Sequence, residues 1–170
     1  MEFRQAVEKD INDIMCIIRQ AQNYFKKHGI DQWQNNYPTI ETIQKDIQNK
    51  NGYVLVEDNK IIGTVALFLT GDKNYDVIYS GKWITNETYA TIHRIAIDSN
   101  YKGQGRSNFI LKQMEKKCLQ NGIHSIKVDT HRENEAMKKW LLKNGFQYCG
   151  VIYLEDQSER IAFEKQIKLK

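Results

Sequence analysis

The sequence predicts a single mixed α/β domain over its 170 residues, with a mostly antiparallel central sheet of about six to seven strands and helices on both faces. Three observations carry this reading. Runs of β-branched and aromatic residues take turns with segments whose apolar residues recur at helical spacing. Short polar turns join strand-like runs in both the early and the late part of the chain, as antiparallel hairpins require. The length is that of about one domain, and a hydrophobic fraction of 41% beside a charged fraction of 27% fits a globular chain.

The elements follow in order. EFRQA (residues 2–6) is a short opening strand. Asp10 is a good N-cap for a helix carrying Ile11, Ile14, Met15, Ile18, Ala21 and Phe25 on one face, ending near Gly29. DQWQNNYP (31–38) has no clear period and closes on Pro38, after which Thr39 caps a second helix to about Lys50. GYVLVE (52–57) and KIIGTVALFL (60–69) form a hairpin about the polar turn DNK. Residues 70–86, with Gly71, Asp72, Asn74, Gly81 and Asn86, read as a long loop or irregular strand ends. A strand over 89–98 leads into glycines. Ile110, Leu111, Met114 and Cys118 then mark a helix that Asn121 and Gly122 stop. HSIKVDT (124–130) is a strand. Asn134 caps a helix with Ala136, Met137, Trp140 and Leu141 inward, Gly145 ends it, and FQYCGVIYL and ERIAFEKQI are the closing strands.

Composition excludes several classes. The net charge of +4 arises from 25 basic and 21 acidic residues that are interspersed, so nucleic acid is not an expected partner. Cys16, Cys118 and Cys149 have no C-x-x-C spacing, which predicts neither a disulfide framework nor a zinc site and suits a reducing cytoplasm. No metal is required. Glu2, Arg4, Glu8, Lys9, Asp10 and Asp13 break up the apolar core a signal peptide needs, and no stretch has membrane-spanning length. The expected setting is cytoplasmic, without a membrane partner.

YKGQGRS (101–107) is the segment that carries chemistry. A strand passing through a glycine turn into a helix aims backbone N–H groups and the positive end of the helix dipole at one point, a natural phosphate site. Gly103 and Gly105 allow close approach of a pyrophosphate, and Lys102 and Arg106 add charge at the rim. A turn that merely reverses the chain is the plainer alternative. A Walker loop would need a lysine before the serine, where Arg106 stands, and a Rossmann fingerprint a third glycine where Asn108 stands. Too few residues follow Asp129, the stand-in for a ribose-binding acid, to build a second dinucleotide half.

KGQGRS after IHRIAIDSNY resembles the acyl-CoA loop of the GNAT superfamily of N-acetyltransferases, R/Q-x-x-G-x-G/A at a helix start. NEAMKKWLLKNGF (134–146) resembles the family's second element, an N-x-x-A/M helix ending in G-F. The order of elements agrees over essentially the whole chain. Lys102 replaces the usual Arg or Gln, and Ser107 the final Gly or Ala; lysine keeps the charge without the fork, and serine stays small and can donate to phosphate. The resemblance implies acetyl-CoA as cofactor and strands that splay apart at its site. Ile95, Ala96 and Ile97 would pair with the pantetheine arm and supply a backbone N–H to the thioester oxygen; Gln104, Gly105, Arg106 and Ser107 would hold the pyrophosphate, and Asn134 would make a side-chain contact. The tyrosine that many members use as general acid falls at Leu141.

The implied activity is transfer of an acetyl group to a primary amine by direct attack in a ternary complex. The amine must first lose a proton, since a free alkylammonium has a pKa of about 10.4. Some members use a glutamate that aligns near Thr91, which cannot serve. His93 is on the same strand face two residues on and suits the task, with a packed structural histidine as the alternative. His131 and Asp129 at the end of the next strand form a possible relay or a simple loop ion pair. Acceptor candidates are Trp33, Gln34 and Tyr37 between the first two helices, Trp83 before the cofactor strand, and Tyr153, Glu155 and Asp156 in the last hairpin; packing or a solvated turn would also explain them. The acceptor is a small-molecule or peptide amine, and family members are often homodimers. The competing class is an acyl-CoA-binding sensor or interaction module without turnover, for which Leu141 argues.

Overall fold

The computed structural model describes residues 1–168. The chain forms β1 (Glu2–Gln5), α1 (Ile11–Lys27), α2 (Ile40–Gln48), β2 (Gly52–Glu57), β3 (Lys60–Phe68), β4 (Ala90–Ile97), α3 (Arg106–Gln120), β5 (Ser125–Thr130), α4 (Glu135–Lys143), β6 (Gln147–Tyr153) and β7 (Glu159–Gln166). The seven strands lie in the order β1-β2-β3-β4-β5-β7-β6. β4 and β5 run parallel through the pairs Ala90–Ile126 and Thr91–Lys127, while β1–β2, β2–β3, β5–β7 and β6–β7 are antiparallel. This is the mixed, mostly antiparallel sheet that the alternation of periods predicts. Two compact units divide the chain: Met1–Leu67 with His93–Met114, and Phe68–Ile92 with Glu115 onward.

In the first unit Ile11, Ile14, Met15 and Ile18 of α1 repeat at i, i+3, i+4 and i+7 and join Ile43, Val54 and Ala96 in one buried cluster. Thr39 caps α2 as expected, its hydroxyl accepting from the Thr42 N–H at 3.3 Å while the Thr42 hydroxyl accepts from the Thr39 N–H at 3.2 Å. Asp10 does not cap α1. Its carboxylate accepts both arms of Arg4, at 2.6 and 3.0 Å, and the Val7 N–H at 2.8 Å. The Arg4 hydrogen bond outweighs burial and holds the Asp10 carboxyl below its ordinary range. β2 and β3 are joined by Asp58 and Asn59, both at positive φ (48° and 61°), the backbone that a two-residue hairpin turn needs.

In the second unit Ile126, Val128, Leu141, Phe146, Ile152, Ile161 and Phe163 are buried. α4 turns Leu141 inward, whereas Ala136, expected on that face, is exposed; five residues before Leu141, it lies about 140° away around the helix. The 70–89 connection has no strand of its own and is held by partners. Tyr79 and Val151 exchange two backbone hydrogen bonds of 2.8 Å. Gly81 lies so close to β6 that a Cβ there would sit 1.9 Å from the Cys149 carbonyl oxygen. The fully buried Glu164 carboxylate gathers the Ile84 N–H (2.7 Å), the Thr85 N–H (3.3 and 3.4 Å), the Thr85 hydroxyl (2.9 Å) and the Ser125 hydroxyl (2.7 Å). A buried carboxylate is tolerable only with such a set of donors.

Candidate active site

The first unit contains the glycine turn. At the end of β4 the Asp98 N–H donates to the Ile62 carbonyl at 2.9 Å, and the Asp98 carboxylate accepts from the Asn100 N–H at 2.9 Å. Gln20 of α1 pins the same corner, accepting from the Ser99 N–H at 2.8 Å and donating to Asp98 at 3.4 Å. The chain then turns through Gly103 (φ 75°) and Gly105 (φ 77°), a backbone that L side chains adopt at a cost. A Cβ at either glycine would meet nothing within 4 Å. The glycines therefore answer a backbone demand beside open space, and no internal crowding calls for them. α3 begins at once, with the Gly105 carbonyl accepting from the Phe109 N–H at 3.1 Å, so its dipole and first N–H groups lie at the turn.

Charge at this turn is divided between two side chains. Lys102 is exposed, its ammonium 4.9 Å from the centre of the Tyr24 ring. Arg106 forms a fork on Glu57 of β2, at 3.1 and 2.8 Å, so its charge is matched within the fold. The Gln104 side chain folds back to donate to the Asn100 carbonyl at 3.0 Å, and Ser107 is half-buried in the first turn of α3.

Before the turn, Ala96 is buried and His93, Ile95 and Ile97 are half-buried. Arg94 between them has φ 53°, inside a strand. Its guanidinium forms a fork on Asp46 of α2 at 2.8 and 2.6 Å and donates to the Tyr37 hydroxyl at 2.9 Å. Tyr37 is thus brought to the neighbour of His93. Trp33 packs its ring edge-on against Phe25, 5.6 Å between centroids, beside the α1 cluster. Gln34 donates to the Gln22 and Gln32 carbonyls at 3.2 and 3.0 Å.

The second unit holds the other candidates. Asp129 accepts from the hydroxyl of Tyr75 at 2.5 Å. Burial, reinforced by the Asp129 charge, pushes the Tyr75 hydroxyl well above its ordinary pKa, so it stays a donor. The Trp83 indole donates to the Tyr75 carbonyl at 2.9 Å. Lys127, which pairs with Thr91, places its ammonium 4.3 Å from the Trp83 ring and 3.9 Å from the Tyr89 ring, and burial lowers its pKa. The buried Thr91 hydroxyl oxygen has no hydrogen-bond partner among the described residues. His131 uses Nδ1 to accept from the Glu133 N–H at 3.2 Å. Asn134 is buried, and its carbonyl oxygen caps α4 by accepting from the Met137 N–H at 3.2 Å. Tyr153 is exposed with its ring edge against Tyr79, 5.4 Å between centroids, and Glu155 and Asp156 are exposed in the β6–β7 turn. Sequence reading missed Arg94, Tyr75 and Lys127. An arginine, a tyrosine and a lysine carry no local signal when their partners are far away in the chain.

Burial pushes the Cys118 thiol up to about 12 and the Cys149 thiol up to about 11, while Cys16 is exposed. At about pH 8 a thiol of pKa near 11 is thiolate in roughly one molecule in a thousand. Iodoacetamide is therefore expected to label one thiol of the folded protein, Cys16, as read by peptide mass; labelling of Cys118 or Cys149 before denaturation would contradict this burial. Among the described residues no group of three or more His, Cys, Asp or Glu side chains could hold a metal ion, and no helix is long and apolar enough to cross a membrane.

Residues 17–146, which include β4, the glycine turn, α3 and α4, match the family model described as Acetyltransferase (GNAT) family. The chain belongs to the GNAT acetyltransferase family. Its fold is similar to that of a GNAT-family acetyltransferase from Streptococcus agalactiae 2603, with a TM-score of 0.84, 34% identity and coverage of 99% of this chain and 96% of that one. The PaiA N-acetyltransferase of Thermoplasma acidophilum, solved in complex with coenzyme A, shares the fold at 19% identity, a TM-score of 0.71 and coverage of 97% and 98%. Among curated proteins, the S-alkylcysteine N-acetyltransferase of Bacillus subtilis (strain 168) is 23% identical over 119 residues, 70% of this chain; the matched part spans 61% of that relative. Within this GNAT chain, the turn at Gly103 and Gly105 lies between β4 and α3, and Leu141 is fully buried in α4.

Proposed function

We propose that this GNAT protein transfers an acetyl group from acetyl-CoA to a primary amine by direct attack in a ternary complex. The observation that carries the reading is the pair of left-handed glycines at the start of α3, beside space that a Cβ would not touch. That space fits the backbone approach of a pyrophosphate. Gly103, Gln104, Gly105, Arg106 and Ser107 hold the pyrophosphate through their amides, Lys102 adds the rim charge, and Ile95, Ala96 and Ile97 flank the arm. When bound, acetyl-CoA supplies a thioester carbonyl open to attack.

The chain's own residues then do two things. His93 takes the proton that the ammonium must lose before it can attack. A backbone N–H of the Ile95–Ile97 stretch donates to the carbonyl oxygen as charge develops there. No acid is needed at Leu141, because a thiol with a pKa of about 8.5 departs readily as thiolate at neutral pH. With Cys118 and Cys149 buried and their thiols raised, direct attack is favoured over a covalent acetyl-cysteine. Tyr37, beside Arg94, and Trp33 belong to the acceptor side in the first unit; Trp83, Tyr153 and Glu155 are the candidates of the second. Asp129, His131 and Asn134 also lie in the second unit, and the transfer as proposed uses none of them. The protein acts in the cytoplasm on a small-molecule or peptide amine. A leucine at 141, where the resemblance places the usual general acid, is the argument for a second reading, a CoA-binding sensor that has lost turnover.

CoA release from acetyl-CoA across small amines, polyamines, aminoglycosides and peptides, against a no-acceptor control, separates the two. Acceptor-dependent release supports the enzyme; CoA binding without release on any acceptor supports the sensor. His93→Ala is expected to lower kcat by about 100-fold or more with CoA affinity within about twofold of wild type. An unchanged kcat would remove His93 as base.

A further inference from the structure

Arg94 stands in an unusual backbone. It has φ 53° inside β4, between His93 and Ile95. A non-glycine residue there is strained and persists only when its surroundings over-determine it. What holds it is on both sides of the guanidinium. Nε and Nη2 form a fork on the two oxygens of Asp46, at 2.8 and 2.6 Å, and Nη1 donates to the Tyr37 hydroxyl at 2.9 Å. The pair is enclosed, the Arg94 and Asp46 side chains being 10% and 8% exposed. Asp46 is fixed in α2, whose end its carbonyl closes by accepting from the Asn51 N–H at 2.8 Å. The Tyr37 carbonyl in turn accepts from Gln22 of α1 at 2.8 Å. One side chain thus links β4, α2 and the connection that contains Trp33, Asn35 and Asn36, all three themselves at positive φ.

A left-handed residue within a strand breaks the regular alternation, as at a β-bulge, and turns the next peptide out of the ladder direction. We propose that Arg94 is a positioning residue for acetyl transfer: its fork on Asp46 and its bond to Tyr37 lock the kink in β4, and so fix His93 before the kink and the Ile95–Ile97 amides after it. The inference rests on the acetyl-transfer reading of the same strand. It adds that the Trp33–Pro38 connection is held to β4 through Tyr37, so the acceptor side and the reacting strand are set by one guanidinium. Lysine cannot replace it, since an ammonium has no planar fork to span both Asp46 oxygens and Tyr37 together.

The test compares Arg94→Lys, Tyr37→Phe and the double variant Arg94→Gly with Asp46→Asn, which leaves no lone buried charge and accepts the left-handed φ. Each is assayed at a temperature where circular dichroism shows it folded. Arg94→Lys and the double variant are expected to lose kcat by about 10–100-fold, the scale of a misplacement near 1 Å, with KM for acetyl-CoA within about twofold of wild type. Tyr37→Phe is expected to raise the acceptor KM by about threefold or more, leaving that for acetyl-CoA within the same limit. If kcat per folded molecule equals wild type in both Arg94→Lys and the double variant, the lock is structural only and the proposal is overturned. If wild type binds CoA but acetylates no amine, the transfer reading fails on its own. Amide exchange then decides the lock: Ile95–Ile97 exchanging about tenfold faster in Arg94→Lys than in wild type upholds it, and equal rates overturn it.

Discussion

Gly105→Val is expected to weaken CoA binding by about 100-fold or more while the protein stays folded. On the proposed reading of this turn as a phosphate cradle, about three charge-assisted hydrogen bonds of about 1.5–3 kcal/mol each would be at stake, and losing the equivalent of two gives that factor. Gly105 has φ 77°, where a β-branched residue is strained by about 1–2 kcal/mol or more. Yet nothing in the protein lies within 4 Å of where its Cβ would go. The new side chain would not clash inside the fold, so it either twists the turn or fills the space before the amides. Isothermal titration with CoA, alongside a thermal melt, separates the two quantities. Affinity within about twofold of wild type, in a protein that melts normally, would end the reading of this turn as a phosphate cradle.

The largest effect on stability is expected from Glu164→Ala. The carboxylate is fully buried and serves the Ile84 and Thr85 N–H groups and the hydroxyls of Thr85 and Ser125. Removing it strips the buried Ser125 hydroxyl and the more exposed Ile84 and Thr85 donors of their acceptor and leaves a cavity, a loss of about 3–5 kcal/mol. For a chain of this size that lowers Tm by roughly 6–20 °C. Glu164→Gln keeps the shape and one acceptor and should lose less. A melt of Glu164→Ala within a few degrees of wild type would mean that the 83–85 segment is held by something other than this carboxylate.

How much of this was legible follows from where each signal resides. The caps and turns that depend on adjacent residues were readable: Thr39 with Thr42 and the Asp58–Asn59 hairpin turn each state their geometry locally. So was the glycine turn, because positive φ selects its residues directly. Asp10 was misread as a cap because its carboxylate is claimed by a side chain outside the helix it would have capped, that of Arg4 in β1. The 70–89 connection was opaque for the same reason: Ile84 donates to a carboxylate 80 positions away. Arg94 is the sharpest case within the site. IHRIAI reads as an ordinary strand, and neither the positive φ of Arg94 nor its fork on Asp46, 48 positions earlier, is announced by any period in the sequence.

One feature of the second unit bears on how copies of this protein meet. β6 is the last strand in the sheet order, paired on one side with β7. Such an edge is an open template on which another chain can add a strand, the first step of aggregation. Here Tyr79 exchanges both its backbone groups with Val151, and Gly81 approaches the Cys149 carbonyl too closely for any other residue. Through that one bridge and the close approach at Gly81, the 70–89 connection covers part of that edge. Shortening it, a change that most surface loops absorb, would bare β6 to pairing with a neighbour.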